Sequence, residues 1–208
     1  RYRAAPPEER EMIGGMMMRP LAQLEMVEIM DRISPPRSPS NAYLRRNDPK
    51  VIGMFESQLQ PRQFWTFGFL PTVGARVYLL NGQAAGLARQ YHAAANSPEA
   101  FLELVGKQQF AEVAPMPALA LKQTGEEAEA RRLLDLAIVH LKDVDGTPED
   151  EQVRLARIYA VQGRKEDAIS LLSTAVRRGW LPPYLPIHVD LALDPPLSEL
   201  KADPRFEQ

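Results

Sequence analysis

The sequence contains no cysteine and only three histidines in 208 residues. Without thiols there are no disulfides, no thiol catalysis and no cysteine-held zinc, while both cytoplasm and periplasm stay open as compartments. An excess of charge is missing too: 25 Lys plus Arg stand against 27 Asp plus Glu. That balance gives no basis for binding a phosphate backbone or an anionic membrane surface, so no nucleic-acid partner is expected through this segment. No apolar run approaches the roughly 20 residues that cross a bilayer. The Met-rich stretch MIGGMMMRPLAQLEMVEIM is interrupted by Arg19, Pro20, Gln23, Glu25 and Glu28. Phosphate-cradling Gly-x-x-x-x-Gly-Lys-Ser/Thr loops are absent, and no segment alternates long enough to read as a strand.

What is present is helical spacing punctuated by proline. Prolines cluster in APP, SPPRSPS, WLPPYLP and DPP, and between these clusters apolar residues recur at intervals of three and four. Within the helical part the chain repeats itself. ARVYLLNG at 75–82, ALALKQTG at 118–125 and ARIYAVQG at 156–163 share Ala-x-x-(Tyr/Leu)-x-x-x-Gly, at spacings of 43 and 38. The alignment continues past each Gly with Leu87, Ala130 and Ala168, then Tyr91, Leu134 and Leu172, then Ala94, Ala137 and Ala175. The first Ala and the residue three positions on share one helix face, and the Gly supplies a left-handed end. Small Ala residues then let a second helix pack closely against the first. Each unit reads as a helical hairpin that must stack on its neighbours.

This pattern resembles the tetratricopeptide repeat (TPR), with its unit of about 34 residues. Residues 149–182 carry the resemblance best, through Leu155, Ala156, Tyr159, Gly163, Ala168, Leu172 and Ala175. Gln152 stands where the family has Trp, and Leu87 where it has Ala. The resemblance implies an all-α, right-handed hairpin solenoid with helical caps at both ends. Residues 1–69 are then an N-terminal cap or degenerate repeats, 70–182 three hairpins, and 183–208 a closing segment. Within these limits SPEAFLELVGKQQF at 97–110 reads as one additional helix begun by Ser97 and Pro98, and Thr147-Pro148 as the start of the last hairpin. In the N-terminal part, helices are expected over about 7–32 and 48–59, with FWTFGF a wedge of Trp65, Phe67 and Phe69. Asp194-Pro195 and Asp203-Pro204 read as N-cap signatures of a helix over 195–201 and another near 204, with Leu197, Leu200 and Phe206 covering the end of the stack. Such an ending is similar to that of TPR arrays found in bacterial regulators.

Fragments that imitate active sites read as structure. SELK at 198–201 lacks the partner motifs of a Ser-x-x-Lys enzyme, and DVDG at 143–146 lacks a third calcium-loop ligand. His92, His140 and His188 have no second ligand at helical spacing, so no metal, cofactor or catalysis is expected. The resemblance instead places Arg76, Leu119 and Arg157, each following the small residue of its first helix, on a concave face, with Lys122 one turn beyond. Arg76, Lys122 and Arg157 are the candidate binding residues, suited to carboxylates of an acidic protein or peptide. Solvated helix charges are the competing reading.

The expectation is a non-catalytic protein-interaction or ligand-sensing module of a bacterial regulatory protein. A chain starting at Arg1 reads as a piece of a longer one. The alternatives are a periplasmic sensor domain of a membrane-tethered winged-helix regulator and an accessory domain of an enzyme whose catalytic part lies upstream.

Overall fold

The computed structural model describes residues 50–66, 70–180, 191 and 194–206, and no strand occurs among them. Its α-helices are α1 (Lys50–Gln58), α2 (Pro61–Thr66), α3 (Leu70–Leu80), α4 (Ala84–Ala94), α5 (Pro98–Val105), α6 (Lys107–Val113), α7 (Pro115–Gln123), α8 (Glu127–Val139), α9 (Pro148–Val161) and α10 (Lys165–Arg177). Short 3₁₀ segments cover Leu141–Asp143, Pro195–Leu200 and Pro204–Phe206. The described residues are therefore all-α, as the periodicity predicts. The expected helix over 7–32, Phe67, Phe69 and His188 lie outside the described residues.

The repeated motif has one backbone solution in all three copies. Gly82, Gly125 and Gly163 adopt φ of 67°, 88° and 81°, a region closed to most side chains. At each, the next residue's N–H reaches back to the Tyr or Leu of the motif. Gln83 donates to the Tyr78 carbonyl, Glu126 to Leu121 and Arg164 to Tyr159, each at 2.8 Å. The glycine N–H donates to Leu79, Lys122 and Ala160 in turn. This double closure satisfies carbonyls that a helix end would otherwise leave without donors. It joins α3 to α4, α7 to α8 and α9 to α10.

The aligned columns form the contact faces. Ala75, Ala118 and Ala156 are fully buried, and every residue of the three downstream columns is buried as well. Between hairpins, α7 packs on α3 and α4, and α9 packs on α7 and α8. The segment between the first two hairpins departs from the single helix expected over 97–110. It starts as predicted, with the Ser97 hydroxyl accepting from the Ala100 N–H. It then breaks at Gly106, where φ of 80° ends α5 before α6 begins. The last hairpin starts with a reciprocal cap, Thr147 Oγ1 accepting from Asp150 N–H and Asp150 accepting from Thr147 N–H.

Aromatic rings fill the N-terminal half of the core. Phe64 lies edge-on to Phe55, Trp65 and Tyr78, and Trp65 in turn meets Phe101 at 4.9 Å between centroids. The Trp65 indole N–H donates to the Gln90 carbonyl of α4 at 3.1 Å, so its one polar atom is satisfied. Trp65 thus wedges α2 against the first hairpin and the helix that follows it. A second, smaller cluster joins the opposing faces of α9 and α10 to Leu197 and Leu200.

Candidate functional site

On each first helix, the residue after the buried alanine is turned about 100° from the hairpin contact and so faces another side of the array. In α3 and α9 that residue is Arg76 and Arg157; in α7, between them, it is the apolar Leu119. Both side chains are almost entirely buried. Arg76 is 5% exposed and Arg157 3%, which removes the reading of both as solvated helix charges. They converge on one fully buried carboxylate, Asp194, from beyond the last hairpin. Arg76 Nη2 lies 3.2 Å from Asp194 Oδ1, and Arg157 Nε lies 2.8 Å from Oδ2.

The network continues to the opposite side of Arg157. Its Nη1 donates to Glu112 Oε1 at 2.6 Å and to the Glu112 carbonyl at 3.1 Å. Arg154, one helical turn earlier, donates from Nε to Glu112 Oε2 at 3.2 Å and from Nη2 to the Asp145 carbonyl at 2.6 Å. Burial pushes the Glu112 carboxyl upward, but Arg157 and then Arg154 outweigh it and hold the group below the usual carboxylate range. For Arg157, burial opposes the charge, and Asp194 and Glu112 more than restore it, so the guanidinium stays protonated. Among the described residues, three guanidiniums share two carboxylates here, and Arg76 Nε has no hydrogen-bond partner.

Lys122 does not join this cluster. Its ammonium donates to the Val161 carbonyl at 2.9 Å, at the end of α9, where a cation is favoured by the helix dipole and an open carbonyl. The structure therefore brings two of the three sequence-derived binding residues together and gives the third a role in joining α7 to α9. His92 and His140 both lie at helix ends against a carboxylate, His92 with Glu126 at 2.7 Å and His140 with Asp143 at 2.6 Å, the latter three positions away and so a correction to the expectation of no partner at helical spacing. Among the described residues, no group of three or more His, Asp or Glu is placed to hold a metal ion, and no helix is long and apolar enough to cross a membrane.

Two members of the site were not visible as such. Asp194 reads as an N-cap, and its backbone does precede a 3₁₀ turn, yet its side chain makes no capping bond because both oxygens are taken by arginines. Glu112 lies in the stretch inserted between the first two hairpins, outside any repeat column, so nothing in the spacing marks it.

The occupant extends beyond Asp194. The turn Pro195–Leu200 packs on α3, α7 and α9, the first helices of all three hairpins, and on α10. Pro195, Pro196, Leu197 and Leu200 are buried. The closing segment thus does more than cover the end of the stack; it lies on the face that the first helices share. The arrangement is one that holds a carboxylate by charge-assisted hydrogen bonds beside an apolar surface. No protein-family model, no curated protein and no solved structure matches this chain.

Proposed function

We propose that the chain is a non-catalytic protein-interaction scaffold, a TPR-like right-handed array of three hairpins with helical caps, serving as a recognition module of a bacterial regulatory protein. The observation that carries this reading is a peptide segment seated across the first helices of all three hairpins, with a carboxylate gripped by Arg76 and Arg157. A face that accommodates one such segment has the chemistry for an acidic or carboxylate-bearing peptide of a partner. The shared hairpin closure and the buried alanine columns support the repeat assignment.

Quantitative affinity purification from the native organism tests it. Tagged wild-type chain and an Asp194→Ala variant, which uncovers the guanidinium pair, are compared with a tag-only control. The reading expects proteins enriched by the chain over the control, with altered capture by the variant. Profiles that match the control for both proteins would remove it.

A further inference from the structure

The segment Asp194–Leu200 is attached to the array in the manner of a separate ligand. Among the described residues its backbone hydrogen bonds stay local: Asp194 N–H donates to Leu191, Leu197 N–H to Asp194 and Asp203 N–H to Leu200. Side chains hold it to the helices. The Asp194 carboxylate is bound by Arg76 and Arg157, and Leu197 and Leu200 are fully buried beside Val153, Ala156 and Ala160. Two exposed ion-pair contacts fasten the outer part, Lys165 to Glu199 at 3.3 Å and Arg205 to both oxygens of Glu166 at 2.9 and 3.0 Å. The chemistry of the segment also suits a buried ligand in a tight 3₁₀ conformation. Pro195 and Pro196 bring no N–H that would need a buried acceptor, and their fixed φ lowers the entropy lost on docking.

Resting on the reading of this face as a recognition surface, we propose that Asp194–Leu200 is an intramolecular ligand occupying the binding site, and that the partner the site fits is a peptide presenting an aspartate followed by proline and leucine. Being tethered, the internal segment acts at an effective concentration in the millimolar range, so a partner peptide of equal intrinsic affinity is held off until the segment is displaced. Among the described residues, the positive excess of the cluster and the unpartnered Arg76 Nε favour an incoming peptide with more acceptors than Asp194 provides. The buried aspartate is then the lock, and the exposed pairs from Arg205 and Lys165 are a salt-sensitive latch.

The test uses fluorescence anisotropy with a labelled peptide of sequence Asp-Pro-Pro-Leu-Ser-Glu-Leu, capped at both ends, added to the full chain. Asp194→Ala is expected to bind it about tenfold or more tighter than wild type, because the internal competitor has lost its charged anchor. The same peptide with Asn first is expected to lose that gain. Adding Arg76→Met to Asp194→Ala removes an uncompensated buried charge, so the double variant is expected to melt higher than the single one and yet bind the peptide more weakly. That combination separates recognition from folding. Should Asp194→Ala fail to fold, Arg205→Glu carries the test: it opposes Glu166 at the surface, leaves the cluster intact and is expected to bind the peptide several-fold tighter than wild type. Equal binding by wild type and the folded variants, or none by any of them, overturns the proposal. Partner capture from lysate that persists in that case leaves the scaffold reading in place and confines the failure to the internal-ligand idea.

Discussion

The first and last hairpins share one backbone plan and differ in what fills them. Around α3 and α4 the core is a run of rings, Phe55, Phe64, Trp65, Tyr78, Tyr91 and Phe101, all buried. Around α9 and α10 it is mostly alanine and aliphatic, with Val153, Ala156, Ala160, Ala168, Ile169, Leu172 and Ala175. Rings bury some 150–250 Å² each, whereas alanine columns gain mainly close helix approach. The last hairpin therefore depends on what is laid over it, and Leu197 and Leu200 complete its cluster. A repeat motif fixes how a hairpin closes; its residual stability comes from whatever covers the face left open.

The contrast can be broken most strongly from its aromatic side. Trp65→Ala removes the ring that bridges α2 to α4 and α5, and is expected to cost about 3–5 kcal/mol in denaturant unfolding. Next comes Asp194→Ala, which strips Arg76 of its charged partner while Arg157 keeps Glu112, at an expected cost of roughly 3 kcal/mol. Its effect should appear as early loss of protection in α9 and α10 by hydrogen exchange, and uniform loss across the chain would contradict a last hairpin that depends on its cover. Ala156→Leu overfills the contact between α9 and α10, an expected cost of about 1–3 kcal/mol. A melting temperature unchanged from wild type would count against that register. Thr147→Ala removes the reciprocal cap of α9 and is expected to cost about 1 kcal/mol.

Acid sharpens the same comparison with the smallest effect. The carboxyls of Glu99, Glu112, Asp150 and Glu166 are all held below their ordinary values, and all but Glu99, in the first turn of α5, make bonds to α9, its cap or the closing segment. Asp203 is lowered to about 2 by its bonds to Arg205. A depressed folded-state value means that these groups stabilise the fold above the unfolded carboxylate range, near pH 4, and that this contribution fades as pH falls through the lower folded values. Hydrogen exchange followed from pH 5 downward is expected to show the last hairpin loosening before the aromatic one.

How much of this could be read in advance depended on whether the signal was local. Ala75, Ala118 and Ala156 with Gly82, Gly125 and Gly163 form a pattern within eight residues, and the helices and their closures follow from it. Ser97 and Thr147 declare helix starts through bonds to residues three positions on. Arg76 and Arg157 could be selected as a pair by their place in the motif, but the group they bind lies 118 and 37 positions away. Asp194 gave a competing local signal, since Asp before Pro is a capping signature, and the long-range charge pairing prevailed over it. Glu112 gave none, because inserted residues have no column in which to be noticed.

The ion pair between Arg76 and Asp194 also sets an order in time. At a synthesis rate of roughly 10 residues per second, the carboxylate that neutralises Arg76 is made on the order of ten seconds after the arginine itself. During that interval α3 can already close its hairpin on α4, both being local, while its guanidinium still lacks its counter-ion. Whatever forms of α3 before then has to hold the Arg76 charge without the carboxylate that buries it in the finished molecule.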